Sequence, residues 1–177
     1  MRNITAGVLT VTTLLAAGTA FAAGKTVTIN AINANGIGPA IGTIALSDTK
    51  QGLFIDPKLS SLPPGQHGFH IHAKGDCGPG PGANNAPAAG MAAAGHFDPK
   101  NTGKHMGPHS TEGHQGDVPV LVVDADGTTH VPVVAEHLKL KDVVGHAIMI
   151  HGGGDNYSDQ PQPLGGGGAR IACGVVK

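Results

Sequence analysis

Short β-forming runs separated by turn-rich gaps limit what this chain can become. Beyond the first twenty-two residues no apolar pattern keeps the 3.6-residue period of a helix, whereas runs rich in Val, Ile and Thr recur. Candidate strands are Thr26 to Ile32, Ala40 to Leu46, Gly52 to Ile55, His67 to His72, Val118 to Val123, Thr128 to Val134, His146 to His151 and Ala169 to Val176. Asp126-Gly127, between two apolar runs, predicts a hairpin turn. About eight such strands in one domain predict an all-β fold, a sandwich or a closed antiparallel barrel. Two gaps exceed ordinary turns: Ala73 to Gln115, and Gly152 to Gly168 with its four closing glycines. Loops beyond about 15 residues inside a compact domain are usually functional or disordered. These two carry or adjoin metal-ligand residue types and read as functional, although Ala86 to Ala94 fits a short helix or a flexible insert equally well.

The N-terminus predicts export. Arg2 supplies a positive start, Val8 to Ala17 an apolar stretch, and Ala20, Phe21 and Ala22 a small-residue cleavage pattern. Cleavage after Ala22 leaves residues 23–177 as one exported domain. The apolar stretch falls short of the ~20 residues that span a bilayer, so no membrane partner is expected. With 11 Lys and Arg against 12 Asp and Glu, the chain lacks the basic excess of a protein held by phosphates, which argues against nucleic acid. Cys77 and Cys173 in an oxidising compartment favour a structural disulfide, with two separate buried thiols as the alternative.

All eleven histidines fall between His67 and His151. Strand alternation puts His70 and His72 on one face and Phe69 and Ile71 on the other, so two imidazoles roughly 6.6 Å apart can converge on one ion. His96, His105, His114 and Asp117 follow at intervals of nine, nine and three residues, a complete tetrahedral set for zinc. His151 shares a strand face with Met149, opposite Ile148 and Ile150. The set has no thiolate or thioether, which suits Cu(II) or Zn(II). Seven ligands leave two four-coordinate ions one short, and a histidine using both ring nitrogens would close the gap. His96 is the natural candidate, although spacing alone does not fix it.

Several motifs stand together in order: Gly68-Phe69-His70-Ile71-His72, Gly95-His96-Phe97-Asp98-Pro99, Lys104-His105-Met106-Gly107-Pro108, His114-Gln115-Gly116-Asp117, Ile150-His151 and Gly168-Ala169-Arg170-Ile171-Ala172-Cys173-Gly174-Val175. They resemble copper/zinc superoxide dismutase over nearly all of residues 23–177. Asp155-Asn156, Ser158-Asp159 and Pro163-Leu164 look like its bacterial periplasmic branch. The resemblance implies an eight-stranded antiparallel Greek-key β-barrel, an Ig-like sandwich, with two long functional loops.

It implies one copper per chain on His70, His72, His96 and His151, and one zinc on His96, His105, His114 and Asp117, with His96 bridging. It also supports the Cys77–Cys173 disulfide. Asp155 matches the carboxylate that links a copper histidine to a zinc histidine. The implied reaction is dismutation of superoxide to dioxygen and hydrogen peroxide by a copper redox cycle. Arg170 would hold the anion and His96 would carry a proton. A near-neutral protein with an anionic substrate needs local positive charge, a role for which the handling of superoxide is itself a known example; Lys74 is the candidate for steering. The lysines and glutamates that guide substrate in eukaryotic relatives are absent from Gly152 to Gly168. Both monomers and homodimers occur in the bacterial branch.

His67, His109, His130, His137 and His146 take no metal role in this reading; His67 shares parity with Phe69 and Ile71 and is expected to be hydrogen-bonded. Two other readings compete. A non-catalytic exported copper/zinc storage or buffering protein of the same fold would be expected to lack a copper ligand or the arginine, and all are present. A zinc hydrolase would need an open zinc position and a general base, and neither Glu112 nor Glu136 lies in an H-E-x-x-H motif.

Overall fold

The computed structural model describes residues 24–177, so the predicted export signal from Met1 to Ala22 and its cleavage point lie outside the described residues. Strands β1 (Lys25–Asn33), β2 (Gly36–Asp48) and β3 (Leu53–Leu59) form an antiparallel meander. The chain continues through β4 (Gly65–His67) and β5 (Phe69–His72), which are separated only by Gly68. A small hairpin in the first long loop pairs β6 (Gly80–Pro81) with β7 (Pro87–Ala88). Then follow β8 (Leu121–Val123), β9 (Val133–Ala135), the short helix α1 (Leu140–Val143), β10 (Ala147–His151) and β11 (Arg170–Val175).

Seven strands make one curled antiparallel sheet in the order β5-β10-β11-β1-β2-β3-β9, and β4 pairs with β8. The run from Gly65 to His72 therefore changes partner at Gly68, pairing with β8 before it and with β10 after it. This is an all-β fold, as the alternating runs predict. Inside the curl, Ile29, Ile44, Leu46, Leu53, Ile55, Phe69, Ile71, Leu121, Ile148 and Ile150 form one buried core, aliphatic but for Phe69.

Prolines explain where strands depart from expectation. The run Val118 to Val123 contributes only Leu121–Val123 and Thr128 to Val134 only Val133–Ala135, because Pro119 and Pro132 cannot donate to a ladder. In β2, Pro39 sits where the register with β1 shifts around Asn30, a bulge that tolerates the missing N–H. In β3, Pro57 lies past the end of the β9 pairing. Asp126-Gly127 does turn the chain, with Gly127 N–H donating to Asp124 O at 2.9 Å. The hairpin expected there does not form, because β8 pairs with β4 and β9 with β3. The Ala86 to Ala94 stretch becomes β7 followed by a 3-10 turn at Met91–Ala93.

Strand β10 is buried throughout. Ile148 and Ile150 face the main core, while Ala147 and Met149 face a second cluster with Ile32, Cys77, Ala93 and Cys173 under the first long loop. Cys77 and Cys173 are disulfide-bonded with Cα atoms 5.7 Å apart, tying that loop to β11 across 96 positions.

Candidate metal centre

The site is assembled by β5. Phe69 and Ile71 enter the core, which turns His70 and His72 to the opposite face, where the two loops meet. Both backbone groups of Ile71 are taken by the first loop: its N–H donates to Gly116 O at 2.9 Å and its carbonyl accepts from Phe97 N–H at 2.8 Å. Gly116 N–H in turn donates to Phe97 O at 2.8 Å. This three-way stitch sets Asp117 opposite His70 and His96 opposite His72.

All seven predicted ligands converge there and are buried. Candidate ligand atoms of His70, His72, His96 and His151 lie within 4.8 Å of one another, and so do those of His70, His96, His105 and Asp117. The imidazole of His96 is central, its centroid 4.0 Å from that of His70, 5.1 Å from His72, and 5.3 Å from both His105 and His114. Asp117 gathers the second group: Oδ1 lies 2.8 Å from His96 Nδ1 and 3.5 Å from His114 Nδ1, and Oδ2 lies 2.8 Å from His105 Nδ1.

One nitrogen of most rings is committed elsewhere, which fixes what the other can do. His70 Nε2 donates to Asp155 Oδ2 at 2.7 Å, and His105 Nε2 to Asp155 Oδ1 at 2.7 Å. His72 Nδ1 donates to Ala94 O at 2.9 Å, and His151 Nδ1 faces Gly168 O at 3.4 Å. The opposite nitrogens point into the two groups. There His70 Nδ1, His96 Nε2, His105 Nδ1, His114 Nδ1 and Asp117 Oδ2 are buried without a hydrogen-bond partner. The short His105 Nδ1 to Asp117 Oδ2 approach brings the atoms together without hydrogen-bond alignment. Buried polar atoms are rarely left unpaired. Five around two foci, all imidazole nitrogen or carboxylate oxygen, fit two divalent cations.

The charge pattern agrees with that fit. Burial holds His70 and His72 below the ordinary histidine range, His96 down at about 4 and His151 at about 3, so these rings are neutral at pH 7. His105 goes the other way: burial lowers it, but Asp117 and Asp155 outweigh burial and raise it to about 9. Burial also opposes ionisation of Asp117 and Asp155, yet the surrounding histidines hold both well below the usual carboxylate range.

Arg170 pairs with His151 across β10 and β11. Its half-buried guanidinium donates from Nη1 to Gly90 O and from Nη2 to Ala94 O, each at 2.7 Å. The carbonyl of Ala94 thus serves both Arg170 and His72. Lys74 is exposed, its backbone N–H held by Ala93 O at 3.0 Å.

The remaining histidines stay outside both groups. His67 is buried between His151 O and Pro63 O, each 2.7 Å from a ring nitrogen. His146 meets His72 O at 3.1 Å and packs on Phe97. His109 and His130 lie beside Glu136 and Asp124 at the surface, and His137 is exposed. Sequence reasoning passed over Asp159, whose Oδ2 accepts from His105 N–H at 2.8 Å, and the carbonyls of Ala94 and Gly168. The paired acids of the D-N-x-S-D stretch were the available signal for Asp159; carbonyl acceptors carry none.

Fold and site together define a dinuclear histidine and carboxylate metalloprotein on an all-β scaffold, with a cationic side chain beside one of the two foci. Residues 40–176 match the family model described as copper/zinc superoxide dismutase (SODC). The chain belongs to the copper/zinc superoxide dismutase family. It is 55% identical over 170 residues to superoxide dismutase [Cu-Zn] 2 of Salmonella typhimurium, covering 96% of this chain and 97% of that one. It is 50% identical over 170 residues to superoxide dismutase [Cu-Zn] of Escherichia coli K12, with the same coverage. Among solved structures, the Cu/Zn superoxide dismutase from Brucella abortus superposes with a TM-score of 0.84 at 44% identity, covering 88% of this chain and 100% of that one. The monomeric copper, zinc superoxide dismutase from Salmonella enterica gives 0.78 at 54% identity, with the same coverage.

Proposed function

We propose that the chain dismutates superoxide, two molecules of superoxide and two protons giving dioxygen and hydrogen peroxide. One copper would be held by His70, His72, His96 and His151, and one zinc by His96, His105, His114 and Asp117. His114 is preferred to His70 as the fourth zinc ligand, because both nitrogens of His70 are already used, Nε2 by Asp155 and Nδ1 by the copper group, whereas His114 Nδ1 faces Asp117 with no partner. The carrying observation is His96: Nδ1 lies against Asp117, while Nε2 is unpartnered toward the other three histidines.

When bound, copper supplies a one-electron redox change and zinc a fixed positive charge. The chain's own residues do the rest. Arg170 binds the anion, its guanidinium oriented by Gly90 O and Ala94 O with remaining N–H groups left to face the substrate. His96 would hold and return a proton at Nε2 while that nitrogen is free of copper. Asp155 orients one histidine of each group. Lys74 steers the anion inward, and Lys74→Ala is expected to slow turnover at low ionic strength but not at high.

Both ligand sets come from a single chain, so the catalytic unit is complete in a monomer and needs no more than repetition in a homodimer. Export by cleavage after Ala22 places it in the periplasm. Metal analysis of the purified protein is expected to give one copper and one zinc per chain, and pulse radiolysis a near diffusion-limited dismutation rate. A fully metallated, folded protein without that activity would overturn the assignment.

A further inference from the structure

Tyr157 is the sole tyrosine of a chain without tryptophan, and it takes a backbone conformation that bulky side chains avoid, with φ at 58°. Such a conformation persists only where the surroundings impose it. Three contacts do so. Its N–H donates to Asp155 Oδ1 at 2.8 Å, the same oxygen that accepts from His105 Nε2 at 2.7 Å. Its phenol oxygen accepts from Val120 N–H at 3.1 Å, three residues after Asp117. Its ring base lies against Gly107, two residues after His105, so closely that a Cβ at Gly107 would stand 2.6 Å from Tyr157 Cβ.

We propose that Tyr157 is a positioning residue for Asp155 and, through it, for zinc retention. One side chain clamps the loop carrying Asp155 to the backbone just beyond two zinc ligands, His105 and Asp117. Asp155 Oδ1 is therefore held at His105 Nε2 from outside the metal site, and His105 Nδ1 is kept turned toward Asp117. The proposal rests on the reading of His96, His105, His114 and Asp117 as the zinc set.

The test measures zinc transfer from the metallated protein to a chromogenic chelator, for the parent, Tyr157→Phe, Tyr157→Ala, Asp155→Asn and the double variant Tyr157→Phe/Asp155→Asn. Tyr157→Phe keeps the ring and loses only the phenol bond, and is expected to speed zinc loss about threefold; Tyr157→Ala about tenfold or more, within the range usual for groups that orient ligands. If Tyr157 acts through Asp155, the double variant releases zinc no faster than Asp155→Asn alone. Multiplying effects in the double variant, or Tyr157 variants that match the parent, overturn the proposal. A parent that binds no zinc overturns the zinc set instead.

A second readout needs no substitution at Tyr157. Tyrosine emission comes from this residue alone, so zinc added to the metal-free protein is expected to change it with saturation at one equivalent, and Asp155→Asn to abolish most of that change. Emission indifferent to zinc contradicts the coupling.

Discussion

Asp155 receives three hydrogen bonds, from His70, His105 and the backbone of Tyr157, and with Asp117 it gives His105 a protonation unlike that of its neighbours. The other metal-facing imidazoles whose values are depressed are neutral near pH 7, while His105, raised to about 9, carries a proton between two carboxylates. Zinc bound as proposed would displace that proton from Nδ1. Zinc affinity of the metal-free protein is therefore expected to rise about tenfold per pH unit from neutrality and to level off near pH 9. Calorimetry at pH 7 in buffers of different ionisation enthalpy should show close to one proton released per zinc; none released would mean that His105 is neutral. At this scale the side chains that converge in the fold, six histidines and Asp117, were legible in the sequence from their types and spacing. Which nitrogen of each ring faces the metal was not, because it depends on carbonyls such as Ala94 O and Gly168 O that any residue could supply.

The decisive element is β5 with its stitch to the first loop. A Cβ at Gly116 would collide with the Ile71 carbonyl and stand 2.8 Å from Phe97 N, so only glycine lets the two backbones approach closely enough to set His96 and Asp117 beside His72 and His70. Gly116→Val is expected to force these segments apart at a cost of about 1–3 kcal/mol. The loss should fall more heavily on the metals than on the barrel. Dialysed protein is expected to retain well under one zinc per chain while its circular dichroism stays that of a β protein. Full metal content in this variant would show that the stitch does not position the site. Alternation made the faces of β5 and β10 readable from sequence. Strand lengths were harder to read, since Pro119 and Pro132 shortened two runs whose composition alone favoured pairing.

Across the whole molecule, the histidine and carboxylate groups are an ionisable centre built into a scaffold whose core is otherwise largely apolar. The disulfide closes a loop of 96 positions and in the chain-entropy model contributes up to about 4–5 kcal/mol, so it keeps the loop near β11 even without metal. The sequence could pair the cysteines from their number and compartment, but not foresee that Cys77 and Cys173 share a cluster with Met149 behind the site. Without metal, the buried histidines govern the pH response. His70, His72, His96 and His151 have folded values below the unfolded value of about 6.5. Their contribution is fully present above pH 6.5 and is lost as pH falls, because the unfolded chain takes up protons that the folded chain refuses. Each costs about 1.4 kcal/mol per pH unit while it stays neutral in the fold, down to about pH 4 for His96 and 3 for His151. His105 has the opposite sign: its contribution is complete below 6.5 and lost as pH rises through about 9. Thermal unfolding of the metal-free protein should therefore move steadily to lower temperature between pH 6.5 and 4, with a smaller decline on the alkaline side toward pH 9. Bound metal removes the unprotonated ligands from this competition, so the metallated protein is expected to hold its unfolding temperature over the upper part of the acid range. Metal-free protein with the same unfolding temperature at pH 7 and pH 4 would show that these four rings are not kept neutral by the fold.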